Sequence, residues 1–282
     1  ELMVGTAIEK GAHESNFSVD DRNILFQVAE LSRSASSAFA TALKDISFQV
    51  RAGEILGIAG IAGNGQSELM EALSGESVSE TNASSMMLGS EDITDLGPEI
   101  RRQKGMRCVP EERNGHGAIT NMSLSENALL TAFHEIKNVS FSGMVRWSAC
   151  KELSRRIVTS YDVRTPQNDP LAASLSGGNL QKFMIGREMM SRPRLLVVAQ
   201  PTWGVDIAAA QAIRKAMRGL ADDGTAIIII SQDLEELLKM SHHISVLTEG
   251  QLSAPLPVRD VTAESIGLMM GGIGQRNRGR AI

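Results

Sequence analysis

The chain has 282 residues, of which 42% are hydrophobic and 22% are charged, and its 28 basic and 33 acidic residues leave a net charge of −5. At about 100 to 200 residues per domain, this length allows one large domain or two small ones, with a sizeable core. The composition excludes a disordered chain, and the acidic balance disfavours a nucleic-acid partner bound through a strongly basic surface.

Strand-length apolar runs recur along the chain. They predict β-strands at residues 24–28, 46–50, 54–59, 106–109, 195–199, 226–231 and 244–247. Between them, patterns of helical period predict helices at residues 67–73, 123–133, 151–161 and 207–220. No run reaches the roughly 18 to 20 apolar residues that cross a bilayer, so we expect any membrane role to come through a partner.

The order of these elements predicts an α/β fold, in which mixed β-structure at the start gives way to a parallel sheet. Residues 114–192 contain no convincing strand, which indicates a helical insertion. We expect a linker at residues 1–23, the folded domain at 24–252, and a C-terminal helix with a mobile tail at 253–282. Because the chain opens with Glu1 and has no signal-like core, we also expect a piece of a longer polypeptide.

A glycine-rich loop, GIAGNGQS, follows the strand predicted at 54–59 and opens a helix. Glycines let backbone N–H groups converge on phosphate oxygens at a helix N-terminus. The loop fits the phosphate-loop template G-x-x-x-x-G-K-[ST] except that glutamine replaces lysine, which removes a charge but keeps a hydrogen-bonding group. A purely structural turn and a dinucleotide turn are the alternatives. The candidate phosphate-contacting residues are Gly60, Gly63, Asn64, Gly65, Gln66 and Ser67, of which Ser67 keeps a hydroxyl for Mg²⁺.

A second motif, LSGGNLQK at residues 175–182, places a serine and two glycines at the start of a helix, another position suited to an anion. An ordinary N-cap serine before a tight turn is the alternative. Further along, residues 195–206 read LLVVAQPTWGVD. In this order the three segments resemble the P-loop, the LSGGQ signature and the Walker B strand with its D-loop in ABC-type ATPases. The resemblance covers about residues 24–252 and is greatest to the second ATPase half of tandem sugar or nucleoside importers.

The resemblance implies a P-loop NTPase fold of the ABC ATPase type, with a mixed β/α core and a helical insertion, and ATP as the ligand. It also implies two partners. One is a second ATPase half, either the N-terminal domain of the same chain or a second copy, and the other is a transmembrane permease that holds the protein on the cytoplasmic face of the cell membrane. The residues implied to serve the partner half are Ser176, Gly177, Gly178 and Asn179 of the signature and Asp206 of the D-loop.

Several catalytic positions depart from the family pattern. Ala199 stands where the metal-organising aspartate is usual and Gln200 where the catalytic glutamate is usual, so the carboxylates that serve metal and water are missing. Gln232 replaces the switch histidine, and Glu111 lies at the Q-loop position. Together with Gln66, these changes predict weak ATP binding, a doubtful Mg²⁺ site and slow hydrolysis by this half.

Two other functions remain open. One is a competent ATPase in which Glu111 or Glu112 replaces the missing carboxylates, and the other is a nucleotide-free platform for dimerisation or regulation. Two aromatic residues are also open. Phe39 either stacks on adenine or packs in a loop or the core, and Trp203 either covers apolar surface or forms a platform for a ligand. Gln200 and Gln232 are alternatively ordinary polar strand ends.

Overall fold

The computed structural model describes residues 22–77, 84–133, 140–141 and 144–272. Its strands are β1 (Ile24–Arg33), β2 (Leu43–Arg51), β3 (Ile55–Ala59), β4 (Ser85–Leu88), β5 (Glu91–Asp92), β6 (Met106–Val109), β7 (Ser140–Phe141), β8 (Met144–Val145), β9 (Leu195–Ala199), β10 (Ala226–Ser231), β11 (His243–Thr248), β12 (Gln251–Leu252) and β13 (Leu256–Pro257). Its helices are α1 (Gln66–Ser74), α2 (Pro98–Gln103), α3 (Leu124–Ala132), α4 (Trp147–Ser160), α5 (Gly177–Met189), α6 (Ile207–Asp222), α7 (Leu234–Met240) and α8 (Ala263–Met270). Among the described helices, none combines the length and the apolar character that spanning a membrane requires.

A parallel sheet carries the segments that the sequence singles out. Its strands lie in the order β11-β3-β10-β9-β6, and β12 and β13 pair antiparallel with β11. In the register, Ser231 lies opposite Ala59 and Ile230 lies opposite Ala199. Because the carboxyl ends of parallel strands share one edge, the loops that follow β3, β10, β9 and β6 meet there in that order.

The strands of this sheet are buried on both faces, as expected for a parallel sheet covered on each side. Along β10, Ile228 and Ile230 pack into the core shared with a smaller antiparallel sheet, while Ile227 and Ile229 pack against the helices. The alternation follows from the two-residue period of a strand. This two-sided burial explains why the central strands read as continuous apolar runs.

The antiparallel sheet, in the order β2-β1-β4-β5, covers the core that contains Ile228 and Ile230. β1 runs to Arg33, five residues beyond its predicted end, with register shifts along its pairing with β2 and a positive φ of 53° at Glu30. These irregularities break the simple alternation that sequence patterning detects. β4 was not predicted, because four residues that include two methionines give no clear strand pattern.

Three helices, α3, α4 and α5, lie within the predicted insertion. Ser123 starts α3 with a capping box: its side chain accepts from the Glu126 N–H, and the Glu126 carboxylate accepts from the Ser123 N–H. The expectation of no strand in residues 114–192 was wrong, since β7 and β8 form a small antiparallel pair. Two-residue strands are too short to show any periodicity in a sequence.

A buried ion cluster fastens α5 to the neighbouring elements. The Glu188 carboxylate accepts from Arg102 at 2.6 Å and from Arg187 at 2.8 Å, and the Arg107 Nε lies 3.9 Å away. Burial alone would raise the pKa of Glu188, but the three guanidinium groups outweigh it and hold that pKa below its usual range. α5, which opens with the predicted signature motif, is therefore anchored at its other end by charge.

The ends of the chain fall partly outside the described residues. The predicted linker lies there except for its last two residues, and the predicted mobile tail lies there from residue 273 onward. The expected C-terminal helix is α8, whose Thr262 side chain accepts from the Ser265 N–H. α8 packs on the helix-covered core through Ile266 and Met270.

Candidate functional site

The glycine-rich loop joins β3 to α1 and adopts backbone conformations that require glycine. The φ angles of Gly63 and Gly65 are 86° and 107°, in the left-handed region that L side chains rarely adopt. Gly65 is the N-cap of α1. At Gly60 a Cβ atom would lie 2.5 Å from the Gln66 Nε2, so this glycine makes room for the glutamine side chain.

Contacts from two other loops hold the glycine-rich loop in place. The Thr41 hydroxyl donates to the Gly63 carbonyl oxygen at 2.7 Å. The Asn64 carbonyl oxygen accepts from the Gly250 N–H at 3.0 Å, and its side-chain Oδ1 accepts from the Glu249 N–H at 3.1 Å. The Asn64 side chain thus fastens the glycine-rich loop to the turn at Glu249, whereas the sequence predicted a contact to phosphate.

Gln66 folds back over the loop that precedes it. Its Nε2 donates to the Ile61 carbonyl oxygen at 2.8 Å, and its Oε1 lies 3.2 Å from the Asn64 backbone N. The same Asn64 N–H also donates to the Ile61 carbonyl oxygen at 3.1 Å. Ser67, the residue predicted to reach a metal, is exposed in the first turn of α1.

Gln200, directly after β9, is held in a strained and buried position. Its φ is 46°, unusual for a residue with a Cβ atom, and it is only 8% exposed. Its N–H donates to the Ile230 carbonyl oxygen at 2.8 Å, and the Ser231 hydroxyl lies 3.2 Å from its Oε1. Gln200 is therefore not an ordinary polar strand end. Gln232 is exposed.

Glu236, on α7, is a buried carboxylate beside Gln200 that the sequence analysis missed. The Thr202 hydroxyl donates to it at 2.6 Å, the Ser231 hydroxyl lies 3.3 Å from its other oxygen, and the Arg214 Nε lies 3.7 Å away. Burial raises the pKa of Glu236 above its usual range, and this effect exceeds the opposing influence of Thr202 and Arg214. Nothing in the sequence shows that this side chain points inward.

Arg113 and Gln181 join three motif-bearing segments. The Arg113 Nε donates to the Gln181 Oε1 at 2.9 Å, and its guanidinium also donates to the Trp203 carbonyl oxygen. The Gln181 Nε2 in turn lies 3.3 Å from the carbonyl oxygens of both Gln200 and Pro201. Burial lowers the pKa of Arg113. The segment after β6, the helix α5 and the turn after β9 are thus hydrogen-bonded to one another.

The predicted signature lies at the exposed start of α5. Ser176 is the N-cap, and its hydroxyl accepts from the Asn179 side-chain amide at 2.9 Å. Ser176 and Gly177 are exposed, while at Gly178 a Cβ atom would lie 3.1 Å from the Gly204 carbonyl oxygen. The ordinary N-cap that the sequence allowed is therefore present, on a surface that leaves the motif accessible.

The predicted D-loop residue Asp206 is also a helix cap. Its carboxylate accepts from the Ala209 N–H at 2.8 Å, which lowers the pKa of Asp206. Asp206 and the neighbouring Ile207 are exposed, Ile207 at 81%. The predicted signature and the predicted D-loop segment are neighbours in this chain, because Gly178 packs against Gly204.

Two cavities flank Trp203 at the edge where these loops meet. One, of about 350 Å³, is lined by Glu111, Glu112, Arg113, Asn114, Gln200 and Trp203. The other, of about 320 Å³, is lined by Gln200, Thr202, Trp203, Gln232, Asp233 and Glu236. Four carboxylates therefore face this edge against a single lining cation, Arg113. Within the described part of the chain, no group of three or more His, Cys, Asp or Glu side chains is arranged to hold a metal.

The remaining candidate residues are placed as follows. Phe39 is 98% exposed in the loop before β2, so the alternative that it packs in a loop or the core was wrong. Its neighbour Thr41 contacts the glycine-rich loop. Cys108 and Cys150 are free thiols, and burial raises the pKa of Cys108 to about 12.

Comparison with known sequences gives consistent matches. The model of the family described as ABC transporter matches residues 43–203. The chain is 38% identical over 239 residues to the guanosine import ATP-binding protein NupO of Bacillus subtilis. This match covers 85% of this chain and 46% of that protein. It is 33% identical over 276 residues to the nucleoside import ATP-binding protein NupA of Lactococcus lactis. This second match covers 96% of this chain and 53% of that protein. The chain therefore spans about half the length of these curated relatives.

Comparison with solved structures concerns the fold. A dimeric ATP-binding cassette in a post-hydrolysis state, bound to ADP and phosphate, superposes with a TM-score of 0.71 at 18% identity, covering 83% of this chain and 99% of that one. A nucleotide-free cassette from an ABC transporter gives 0.68 at 21% identity, covering 88% and 99%. The predicted α/β fold of the P-loop ATPase type is confirmed.

Proposed function

The chain belongs to the ABC transporter family, and from that premise we propose that it is the C-terminal, degenerate nucleotide-binding domain of a tandem importer ATPase for nucleosides or simple sugars. Two observations support this proposal. The relatives NupO and NupA are named as guanosine and nucleoside import ATP-binding proteins, and the chain matches only 46% and 53% of their lengths. The remaining length has room for a second ATPase half.

The observation that carries the proposal is the replacement of both catalytic carboxylates at the end of β9. Ala199 offers only a methyl group, and Gln200 offers a neutral amide that is buried beside Ser231. An amide cannot take a proton from water or balance the charge of Mg²⁺ as a carboxylate does. We therefore expect this half to hydrolyse ATP very slowly.

Weak rather than absent nucleotide binding is the second part of the proposal. The backbone N–H groups at the start of α1 and the positive end of its dipole attract phosphate without any side chain. The lysine that would add a cation is missing, however, which removes an attraction of about 1 kcal/mol in water and about 4 kcal/mol near a protein surface at 4 Å. The carboxylates that line the two cavities also repel a polyphosphate. Mg²⁺ binding is doubtful because Ala199 stands where the metal-organising aspartate is usual.

We further propose that this half serves a nucleotide held by a partner half. Ser176 and Gly177 are exposed at the N-terminus of α5, where the first backbone N–H groups of a helix have no partner within the helix and would meet phosphate from another subunit. The turn that packs against Gly178 leads into Asp206, the predicted D-loop residue, which is exposed. The partner is the N-terminal domain of the same polypeptide or a second copy of this domain.

A transmembrane permease is the other proposed partner, which would place the protein on the cytoplasmic face of the membrane. The hydrogen bonds of Arg113 to Gln181 and to the Trp203 carbonyl oxygen give a path for coupling. A displacement of the Q-loop segment by the permease would reach both the signature helix and the turn at Gln200 through this one side chain.

A competent ATPase remains the second candidate function, because Glu111 and Glu112 line the same cavity as Gln200. Both carboxylates are exposed, which suits a group that exchanges protons with water. In this case turnover by the chain would be abolished by Glu111→Gln or Glu112→Gln.

The test is a titration of the purified chain with a fluorescent ATP analogue, with and without Mg²⁺, and a phosphate-release assay on the same sample. We expect weak binding with little dependence on Mg²⁺ and no turnover. Turnover that requires Mg²⁺ and is lost in Glu111→Gln or Glu112→Gln would favour the competent enzyme. The absence of any binding would favour a nucleotide-free dimerisation platform.

A further inference from the structure

The glutamine in the phosphate loop has a role beyond the loss of a charge. We propose that the side-chain amide of Gln66 hydrogen-bonds to the backbone of the glycine-rich loop and thereby competes with phosphate for it. This competition limits the affinity of the site. This inference rests on the proposed nucleotide site. It makes Gln66 an internal occupant of the loop rather than a weak contact to the ligand.

The contacts of Gln66 satisfy both polarities of the loop backbone. The amide nitrogen donates to the Ile61 carbonyl oxygen at 2.8 Å, and the amide oxygen accepts from the Asn64 N–H at 3.2 Å. Only one orientation of the amide fits, because a carbonyl oxygen needs a donor and an N–H group needs an acceptor. The absence of a Cβ atom at Gly60 leaves the space that the Gln66 amide nitrogen fills.

A lysine could not make the same pair of contacts. Its ammonium group carries three donors and no acceptor, so it could bond to the Ile61 carbonyl oxygen but not to the Asn64 N–H. Replacing lysine by glutamine thus removes a cation and adds a group whose oxygen shares the Asn64 N–H with the Ile61 carbonyl oxygen. A phosphate oxygen that binds at this N–H must displace the amide of Gln66 as well as compete with that carbonyl oxygen.

The experiment compares the wild-type chain with Gln66→Met, which has a similar length but no hydrogen-bonding group. Gln211→Met is the matched control, because Gln211 is exposed on α6. The probes are ATP and inorganic tripolyphosphate, titrated by calorimetry. We expect Gln66→Met to bind both probes about two- to tenfold more tightly than wild type, the factor that one ordinary hydrogen bond supplies. Thermal unfolding of each variant checks that the fold is retained.

A second measurement needs no ligand. In the ligand-free chain labelled with ¹⁵N-glutamine, the side-chain amide protons of Gln66 should exchange with water more slowly than those of Gln211. The Gln66→Met spectrum assigns the signal by its loss. Equal exchange at the two glutamines would overturn the internal contact, and equal or weaker binding by Gln66→Met would overturn the competition.

The two measurements also separate this inference from the proposed function. If no variant binds ATP or tripolyphosphate, the proposed nucleotide site and the competition at it both fail. In that case slow exchange at Gln66 would leave only the internal contact standing. If wild type binds and Gln66→Met binds less tightly, the nucleotide site is retained and Gln66 is an ordinary ligand contact.

Discussion

At the scale of single residues, the candidate site contains one carboxylate whose environment opposes its charge. Glu236 is buried on α7, and its hydrogen bonds come from the hydroxyls of Thr202 and Ser231. Burial disfavours the ionised form, and the nearby Asp233 disfavours it further, so the pKa of Glu236 is raised. The side chain therefore costs stability when it ionises.

The first prediction concerns the dependence of stability on pH. Because the folded-state pKa of Glu236 lies above its ordinary value of 4.5, the folded state holds this proton more tightly than the unfolded state does. The stabilisation is complete below the ordinary value and is lost as the pH rises through the folded-state pKa. Glu236→Gln, which stays neutral, should therefore gain free energy of unfolding relative to wild type between acid and neutral pH.

Urea unfolding at a series of pH values from about 4 to 8 measures this difference. Glu235→Gln is the control, since Glu235 is exposed on the same helix and its pairing with Lys239 is a surface ion pair of small effect. If the free energy of unfolding of wild type instead rises relative to that of Glu236→Gln as the pH rises, the prediction is contradicted. The ion pair with Arg214 would then outweigh the effect of burial.

At the scale of elements, the turn after β9 depends on a side chain from α5. Gln200 has a positive φ, and the carbonyl oxygens of Gln200 and Pro201 both lie within hydrogen-bonding distance of the buried Gln181 amide. The oxygen of the same Gln181 amide accepts a hydrogen bond from Arg113. A strained turn persists when surrounding contacts determine it, and here those contacts come from helix and loop together.

The second prediction is that Gln181→Met destabilises the chain by about 1 to 3 kcal/mol, because the half-buried Arg113 guanidinium and two carbonyl groups lose a hydrogen-bonding partner. Methionine has a similar volume, so loss of packing contributes little. Urea unfolding gives the free energy, and Gln211→Met on exposed α6 should remain within about 0.5 kcal/mol of wild type. An equal effect of the two substitutions would show that the turn does not depend on Gln181.

Elements with a continuous apolar pattern could be predicted from the sequence. The bounds predicted for β9 and β10 match the structure, since both strands are buried on both faces. The short strands β5, β7 and β8 could not be found, because two residues carry no period. β1 was predicted too short, since its irregular pairing breaks the alternation of buried and exposed residues.

In the candidate site, too, some features could be predicted from the sequence and others could not. Sequence motifs predicted the glycine-rich loop and the serine at the start of α5, because both depend on residues adjacent in the chain. The partnership of Arg113 with Gln181 joins residues 68 positions apart, and no local pattern indicates it. The inward position of Glu236 and the backward turn of Gln66 depend on side-chain packing, which spacing alone does not reveal.

At the scale of the whole molecule, the proposed contact with a partner half would use the surface at the start of α5. Ser176 and Gly177 are exposed there, and the turn that packs against Gly178 is flanked by the exposed side chains of Trp203 and of Ile207, the first residue of α6. The ion cluster of Glu188 fixes the opposite end of the same helix. A fixed helix with an exposed N-terminus suits a contact between ATPase halves.

The third prediction is that Ser176→Arg, in the complete reconstituted transporter, lowers the ATPase activity of the partner half by at least tenfold. A large cation at the helix N-terminus blocks the approach of a phosphate and opposes the helix dipole. Phosphate release in proteoliposomes measures the effect. Ser174→Arg is the control, because Ser174 is an exposed serine that precedes the motif. Unchanged activity in Ser176→Arg would refute a role for the signature in trans.

The position of Trp203 gives the molecule an optical property of its own. The chain has two tryptophans, and Trp203 is 56% exposed at the border between the two cavities, while Trp147 lies on α4. After Trp147→Phe, all indole emission would come from that border. The wavelength and quenching of this emission would then follow the polarity around Gln200 in real time, without a dye and without any change to the residues of the site.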